Sequence, residues 1–321
     1  MARASFLVHP LLCFPTLLPM LIRLRSLLST LLIATLLLLA CEGPEPDAPM
    51  SEASSPKTTT AVPHGTLMLV GGATEPELYA EFVRRAGGED AKIVYVPTAA
   101  ESVDVAETRA FVRQNAAQVG AAPENMTVLH TRDSLTANTD AFAAPLDSAD
   151  AVWFSGGRQW RLVDAYSGTK TLAGFRSVLD RGGVIGGSSA GATIQGSFLV
   201  RGDTESNQIM MGNHQKGFGF LPESAVDQHL LARDRQYDLI PVIEAHPELL
   251  GIGIDENTAL VVRGDTARVT GESKVAIYDH RRWARADSAL DRDDKLFFLH
   301  SGDRFDVHTR TELAPAQQTL K

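Results

Sequence analysis

Cysteine is nearly missing from this 321-residue chain. There are two, Cys13 and Cys41, both near the N-terminus, so the body of the protein holds neither a disulfide nor a cysteine metal site. No His-Glu-x-x-His pair or similar cluster occurs among the nine histidines, which argues against a metal hydrolase. The nucleotide-binding patterns G-x-G-x-x-G and G-x-x-x-x-G-K-[ST] are both lacking. Basic residues are in deficit: the net charge of -9 argues against nucleic acid as the main partner. No cofactor and no metal are expected.

The N-terminus carries an address. Arg23 and Arg25 precede an apolar run, Ser26 to Ala40, that stops at Cys41. This is the layout of a secretory signal. Leu38-Leu39-Ala40-Cys41 resembles a bacterial lipobox, which implies cleavage before Cys41 and lipidation of it. Pro10, Pro15 and Pro19 break the apolar stretch ahead of Arg23, so Met20 competes with Met1 as the true start. Residues 42–63 are rich in Pro, Ser, Thr, Ala and acids. Such a segment cannot bury enough apolar surface to order itself and reads as a tether. Glu42 after the cysteine, rather than Asp, suggests an outer-membrane or periplasmic destination. The expected organisation is a signal over 1–41, the tether over 42–63 and one folded domain over 64–321.

That domain alternates. Apolar strands are expected at Thr66–Val70, Lys92–Pro97, Met126–His130 and Ala151–Ser155, and a fifth leads into Ser189. Helices are expected over Pro76–Ala86, Glu101–Val119 and Leu172–Asp180. Strands that are apolar throughout, with helices between them, imply a doubly wound, mostly parallel sheet sandwiched by helices. Ligands bind such sheets at the carboxyl ends of the strands. Gly71-Gly72, Gly156-Gly157 and Gly186-Gly187 fall at that edge. Short strands at 251–255, 258–262, 267–269 and 274–278 are expected to extend the sheet or to add a small hairpin layer.

One stretch carries chemistry. Gly187-Ser188-Ser189-Ala190-Gly191 fits G-x-S-x-G, a sharp strand-to-helix turn that lifts its central serine out of the sheet and aims the next N–H at a developing oxyanion. A serine hydroxyl needs a base, and the base needs an orienting acid. His229 is the candidate base, in a segment whose phase, read as helical, puts Arg233 on the same face. His214 and His246 compete without cationic neighbours. Glu205 is the candidate acid and Asp203 its rival. His229 follows Ser189 by only forty residues, too soon for an α/β-hydrolase.

Four blocks occur in order: Phe154-Ser155-Gly156-Gly157-Arg158-Gln159, Gly186 to Ala192, Asp227-Gln228-His229, and Gly251 to Ala259. Together they resemble cyanophycinase and its relatives among the S51-type serine peptidases, over about residues 65–278. The resemblance implies a fold similar to class I glutamine amidotransferases. It implies Ser189 as nucleophile, His229 as base and an acid at or near Glu205. The N–H groups of Gly157 and Ala190 would form the oxyanion hole. Gln159, Asp227, Gln228, Arg233 and Arg235 would line the substrate pocket. Family members cleave cyanophycin, an aspartate polymer bearing arginine, or aspartyl dipeptides, and are often dimers. Arg158 and Asp238 depart from the family pattern and change the pocket charge, which leaves the natural peptide open. A non-catalytic lipoprotein that binds acidic peptides or glycans on the same fold is the alternative. A glutamine amidotransferase-like hydrolase would want cysteine at position 189.

Overall fold

A nine-stranded sheet forms the centre of the protein, in the order β14-β13-β10-β9-β1-β5-β4-β2-β3. The computed structural model describes residues 60–286 and 289–314. The signal sequence, Cys41 and nearly all of the tether lie outside the described residues. Among the described residues no helix is long and apolar enough to cross a membrane.

The first half of the chain builds the parallel part. β1 (Val62–Val70) pairs with β5 (Val184–Ser188), β5 with β4 (Ala151–Phe154), β4 with β2 (Ile93–Val96) and β2 with β3 (Met126–Val128), all parallel. β1 thus begins inside the stretch read as tether, because Val62 is buried and pairs with the far hairpin. α1 (Pro76–Ala86) starts with proline at its first turn and ends at Gly87 with φ 122°, the asymmetry expected of helix ends. It packs Leu78, Phe82 and Val83 on one face of the sheet beside Val112 and Ala116 of α2 (Val105–Ala116). Two short turns follow, α3 (Ser134–Ala137) and α4 (Asp140–Ala143), in the polar region that sequence periodicity leaves unassigned. α5 (Trp160–Tyr166) and α6 (Lys170–Asp180) supply Leu162, Tyr166, Phe175 and Val178 to the other face. The doubly wound parallel sheet expected from the alternation is therefore present.

The second half differs from expectation in one respect. The chain passes through α7 (Ala190–Thr193) and β6 (Gly196–Phe198) into β7 (Leu221–Gln228), where helical phase was expected around His229. Asp227 and Gln228 are buried polar residues that break the apolar alternation of this strand. β7 pairs in parallel with β6 and with β8 (Leu250–Ile254). α8 (Ile240–Ala245) lies between them in sequence. β9 (Thr258–Gly264) and β10 (Thr266–Gly271) form a hairpin, and β9 adds antiparallel to β1. β11 (Lys274–Asp279) returns to β8, followed by the short α9 (His280–Trp283) and by β12 (Phe297–His300), which pairs with β11. β13 (Arg304–Asp306) and β14 (Thr311–Leu313) finish the large sheet. The result is a second, five-stranded sheet, β12-β11-β8-β7-β6. Its Val226, Ile252, Ile254, Val275 and Ile277 join Phe154, Phe175 and Ile185 in one core. The later strands thus do both things expected of them, extending the first sheet and adding a layer.

Candidate active site

Ser189 stands at the carboxyl end of β5, at the centre of the parallel sheet. Its backbone is at φ 55°, ψ -114°, a conformation that costs a non-glycine residue about 1–3 kcal/mol. Its neighbours allow the turn. A Cβ on Gly187 would meet the Gly191 carbonyl at 2.4 Å, and one on Gly191 would meet the Phe154 carbonyl at 2.1 Å. The Ser189 N–H donates to Val70 O at 2.9 Å, and its carbonyl accepts from Ala192 and Thr193 as the helix opens.

His229 follows the last residue of β7, also with positive φ, 54°. Its Nε2 is 2.9 Å from Ser189 Oγ. Its Nδ1 is 2.6 Å from Glu256 Oε1. With the ring neutral, Nδ1–H donates to the carboxylate and Nε2 keeps its lone pair for the serine hydroxyl. Burial pulls the His229 pKa below the usual imidazole value. Arg233 and Arg235 push the same way, and together these outweigh the hydrogen bond and charge of Glu256. The ring is therefore unprotonated at neutral pH, as a base must be.

The carboxylate that meets His229 is Glu256, not Glu205 or Asp203. Glu205 is exposed on the loop after Arg201, and its N–H donates to Asp203 Oδ1. Asp203 spends that oxygen on the N–H groups of Glu205 and Ser206. Neither side chain bonds to the histidine, whose ring nitrogens meet Glu256 and Ser189. Glu256 reaches it because β8 runs parallel to β7, with Gln228 level with Ile254, so residues 229 and 256 emerge at the same sheet edge. The neighbouring Asp255 fixes that edge. It accepts from the N–H groups of Leu231 and Ala232 and from the Ser273 hydroxyl. Burial works to raise its pKa, and these bonds, with the Glu256 N–H, prevail and hold it low.

Gly71 and Gly72, at the end of β1, clip the partners into place. The His229 N–H donates to Gly71 O at 2.8 Å and the Asn257 N–H to Gly72 O at 2.8 Å. Gly72 has φ 128°, and a Cβ there would lie 2.1 Å from His229 Cε1.

The pocket residues expected from sequence divide into two groups. Gln228 and Arg235 lie at the nucleophile: Gln228 Oε1 is 3.4 Å from Ser189 Oγ and accepts from Arg235 Nη1 at 3.3 Å. Arg233 is exposed close to His229 and forms no ion pair among the described residues. Gln159 and Asp227 are fully buried, as Gln228 and Arg235 nearly are, but bond to structural partners and not to the serine. Gln159 Nε2 donates to the carbonyls of Val200 and Arg201. Asp227 gives both oxygens to Arg201, at 2.8 and 2.9 Å. Arg201, which sequence reasoning passed over, is itself fully buried and also pairs with Asp238 at 2.6 Å. Asp238 thus spends its charge on a structural cation.

Gly157 and Ala190 flank the serine. Gly156 comes so close that a Cβ there would be 3.4 Å from Ser189 Cβ. Gly157 is held at φ 138° against the Ala99 carbonyl, where a side chain would clash. Among the described residues neither the Gly157 nor the Ala190 N–H has a backbone acceptor outside regular elements. No group of His, Cys, Asp and Glu side chains among the described residues is placed to hold a metal.

A strained serine at the head of a central parallel strand, bonded to a neutral histidine that is backed by a carboxylate, defines a serine hydrolase. The chain belongs to peptidase family S51, whose model matches residues 67–270, and it is a serine peptidase. A cyanophycinase from Geminocystis herdmanii is 30% identical over 265 residues, covering 78% of this chain and 96% of the relative. Another, from Trichormus variabilis, is 31% identical over 288 residues, 84% of this chain and 93% of the relative. The crystal structure of a peptidase from an acI-B1 Actinobacterium matches 77% of this chain and 98% of its own, at 23% identity and a TM-score of 0.56. It shares the fold.

Proposed function

We propose that the protein hydrolyses aspartyl or β-aspartyl peptide bonds through an acyl-enzyme, with Ser189 as nucleophile, His229 as general base and Glu256 as the orienting acid. The observation that carries this reading is the position of the His229 ring, 2.9 Å from Ser189 Oγ on one side and 2.6 Å from Glu256 on the other. Ser189 Oγ attacks the scissile carbonyl carbon as its proton passes to His229 Nε2. Glu256 stabilises the imidazolium that results. The N–H groups of Gly157 and Ala190 donate hydrogen bonds to the oxyanion. Collapse expels the amine, which takes its proton from His229, and water then attacks the acyl ester with His229 again as base.

Arg233, exposed and near enough to depress the His229 pKa, supports an anionic group beside the scissile bond, since a guanidinium grips a carboxylate through paired hydrogen bonds. The relatives are cyanophycinases by name, which fits an aspartyl peptide. We place the domain outside the cytoplasm on a lipid attached to Cys41, with the following residues as tether.

The test is a serine-directed fluorophosphonate probe on the full chain, followed by peptide mass mapping and assay on aspartyl dipeptides. Labelling at Ser189, lost in His229→Ala, together with no turnover by a folded Ser189→Ala variant, is the expected result. Undiminished hydrolysis by Ser189→Ala would sink the mechanism.

A further inference from the structure

Two neighbouring hollows open near Ser189. The outer one, of about 410 Å³, is lined by Tyr95, Glu107, Phe111, Ser155 and Gly156 among others. Gly156 brings it to the serine: a Cβ on that glycine would stand 3.9 Å from Ser189 Oγ. The inner one, of about 340 Å³, lies between α1, α2 and the sheet and shares Tyr95 and Phe111 with the first. Thr74 also lines it, and the Thr74 hydroxyl is 2.7 Å from that of Ser188, the residue before the nucleophile.

The inner walls are apolar and aromatic. Trp153 packs against Tyr79, tilted, and against Phe82, edge to face, at centroid distances of 4.7 and 4.8 Å. No Asp or Glu lines this hollow. A guanidinium placed there would lose its water without gaining a counter-charge, which is costly. An apolar side chain would gain from leaving water. One further feature points to an occupant. Phe111 is 63% exposed where the two hollows meet, although large aromatics are ordinarily covered.

We propose that the inner hollow forms a substrate subsite for a bulky apolar residue, aromatic or branched aliphatic, joined to the aspartyl group through the scissile bond. This specificity rests on the peptidase reading and narrows it: the preferred peptides are aspartyl-Phe and aspartyl-Leu types, not the arginine-bearing type.

The experiment uses the full chain and aspartyl and β-aspartyl dipeptides ending in Phe, Leu or Arg. The expected kcat/KM is at least about tenfold higher for Phe and Leu than for Arg, the range that one well-filled apolar pocket provides. Phe111→Asp should lower the Phe and Leu values about tenfold and raise the Arg value, since it supplies the missing counter-charge, while Phe111→Leu retains the preference. A preference for Arg, or an equal loss on all peptides in Phe111→Asp, overturns the subsite. Should no aspartyl peptide be cleaved, the aspartyl reading fails, and the subsite is judged by calorimetric titration of N-acetyl-phenylalanine amide into Ser189→Ala. Binding there that Phe111→Asp abolishes supports the subsite. No binding, or binding indifferent to Phe111→Asp, overturns it.

Discussion

His229 Nδ1 and Glu256 Oε1 lie 2.6 Å apart although 27 residues separate them. The contact is made by strand pairing, since β7 and β8 run side by side and end together. Replacing Glu256 by Gln should keep the fold and lower kcat by about 10²- to 10⁴-fold, because an amide can hold the wrong imidazole tautomer. Glu205→Gln should leave kcat unchanged, since Glu205 is exposed and the His229 ring meets Glu256 instead. Steady-state kinetics on the two variants separates the two carboxylates directly.

The pH profile follows from the depressed His229 pKa. The base works only when neutral, so activity is lost as pH falls through the folded-state pKa. The acidic limb of kcat/KM should therefore lie below the ordinary imidazole value of about 6.5. Arg233→Gln removes one of the cations that depress it and should move the limb upward. Stability follows the same sign. The unfolded chain binds this proton more readily than the native one, so the contribution of His229 is complete above the unfolded pKa and declines as pH falls through the folded one.

Gly72→Ala should cost activity out of proportion to stability. The new Cβ would sit 2.1 Å from the imidazole, and displacing a catalytic group by about 1 Å costs on the order of 10²-fold in rate. The positive φ adds about 1–3 kcal/mol of strain. Gly88→Ala is the control: φ is 78° there with nothing within 4 Å, so thermal unfolding should shift while kcat stays the same.

Arg201→Met should destabilise by about 3–5 kcal/mol, because it leaves Asp227 buried and uncompensated. Urea denaturation reads this out. The double variant Arg201→Met/Asp227→Leu should recover much of the loss, since no lone charge then remains inside.

The Ser189–His229 pair that the structure brings together was legible in the sequence because each residue is marked locally, one by a glycine-framed turn and the other by its place in the Asp227-Gln228-His229 block. The parallel strands and α1 were legible for the same reason, the strands as short apolar runs and α1 as an amphipathic stretch closed by Gly87-Gly88. The acid was not. Glu205 and Glu256 are both acids in polar loops, and the choice between them depends on which strand lies beside β7, a long-range fact. A usable signal did exist: Gly251 to Ile254 is a buried strand that ends in Asp255 and Glu256, and catalytic groups gather at strand ends. β7 was misread because Ala225, Val226, Leu230 and Leu231 mimic helical spacing. Buried Asp227 and Gln228 break the strand alternation, and the counter-charge that permits Asp227 inside comes from Arg201, 26 residues earlier.

Ser189 belongs to the nine-stranded sheet, while His229 and Glu256 issue from the five-stranded one. The 2.9 Å contact between serine and histidine therefore spans the seam between two separately hydrogen-bonded plates. It acts as a vernier for their alignment. Substitutions in the aromatic packing of that seam, such as Phe154 against Phe218 and Phe220, need only let one plate slide slightly for turnover to fall while the protein stays folded. Catalytic rate would then be a finer gauge of how well the two halves are seated than any melting curve.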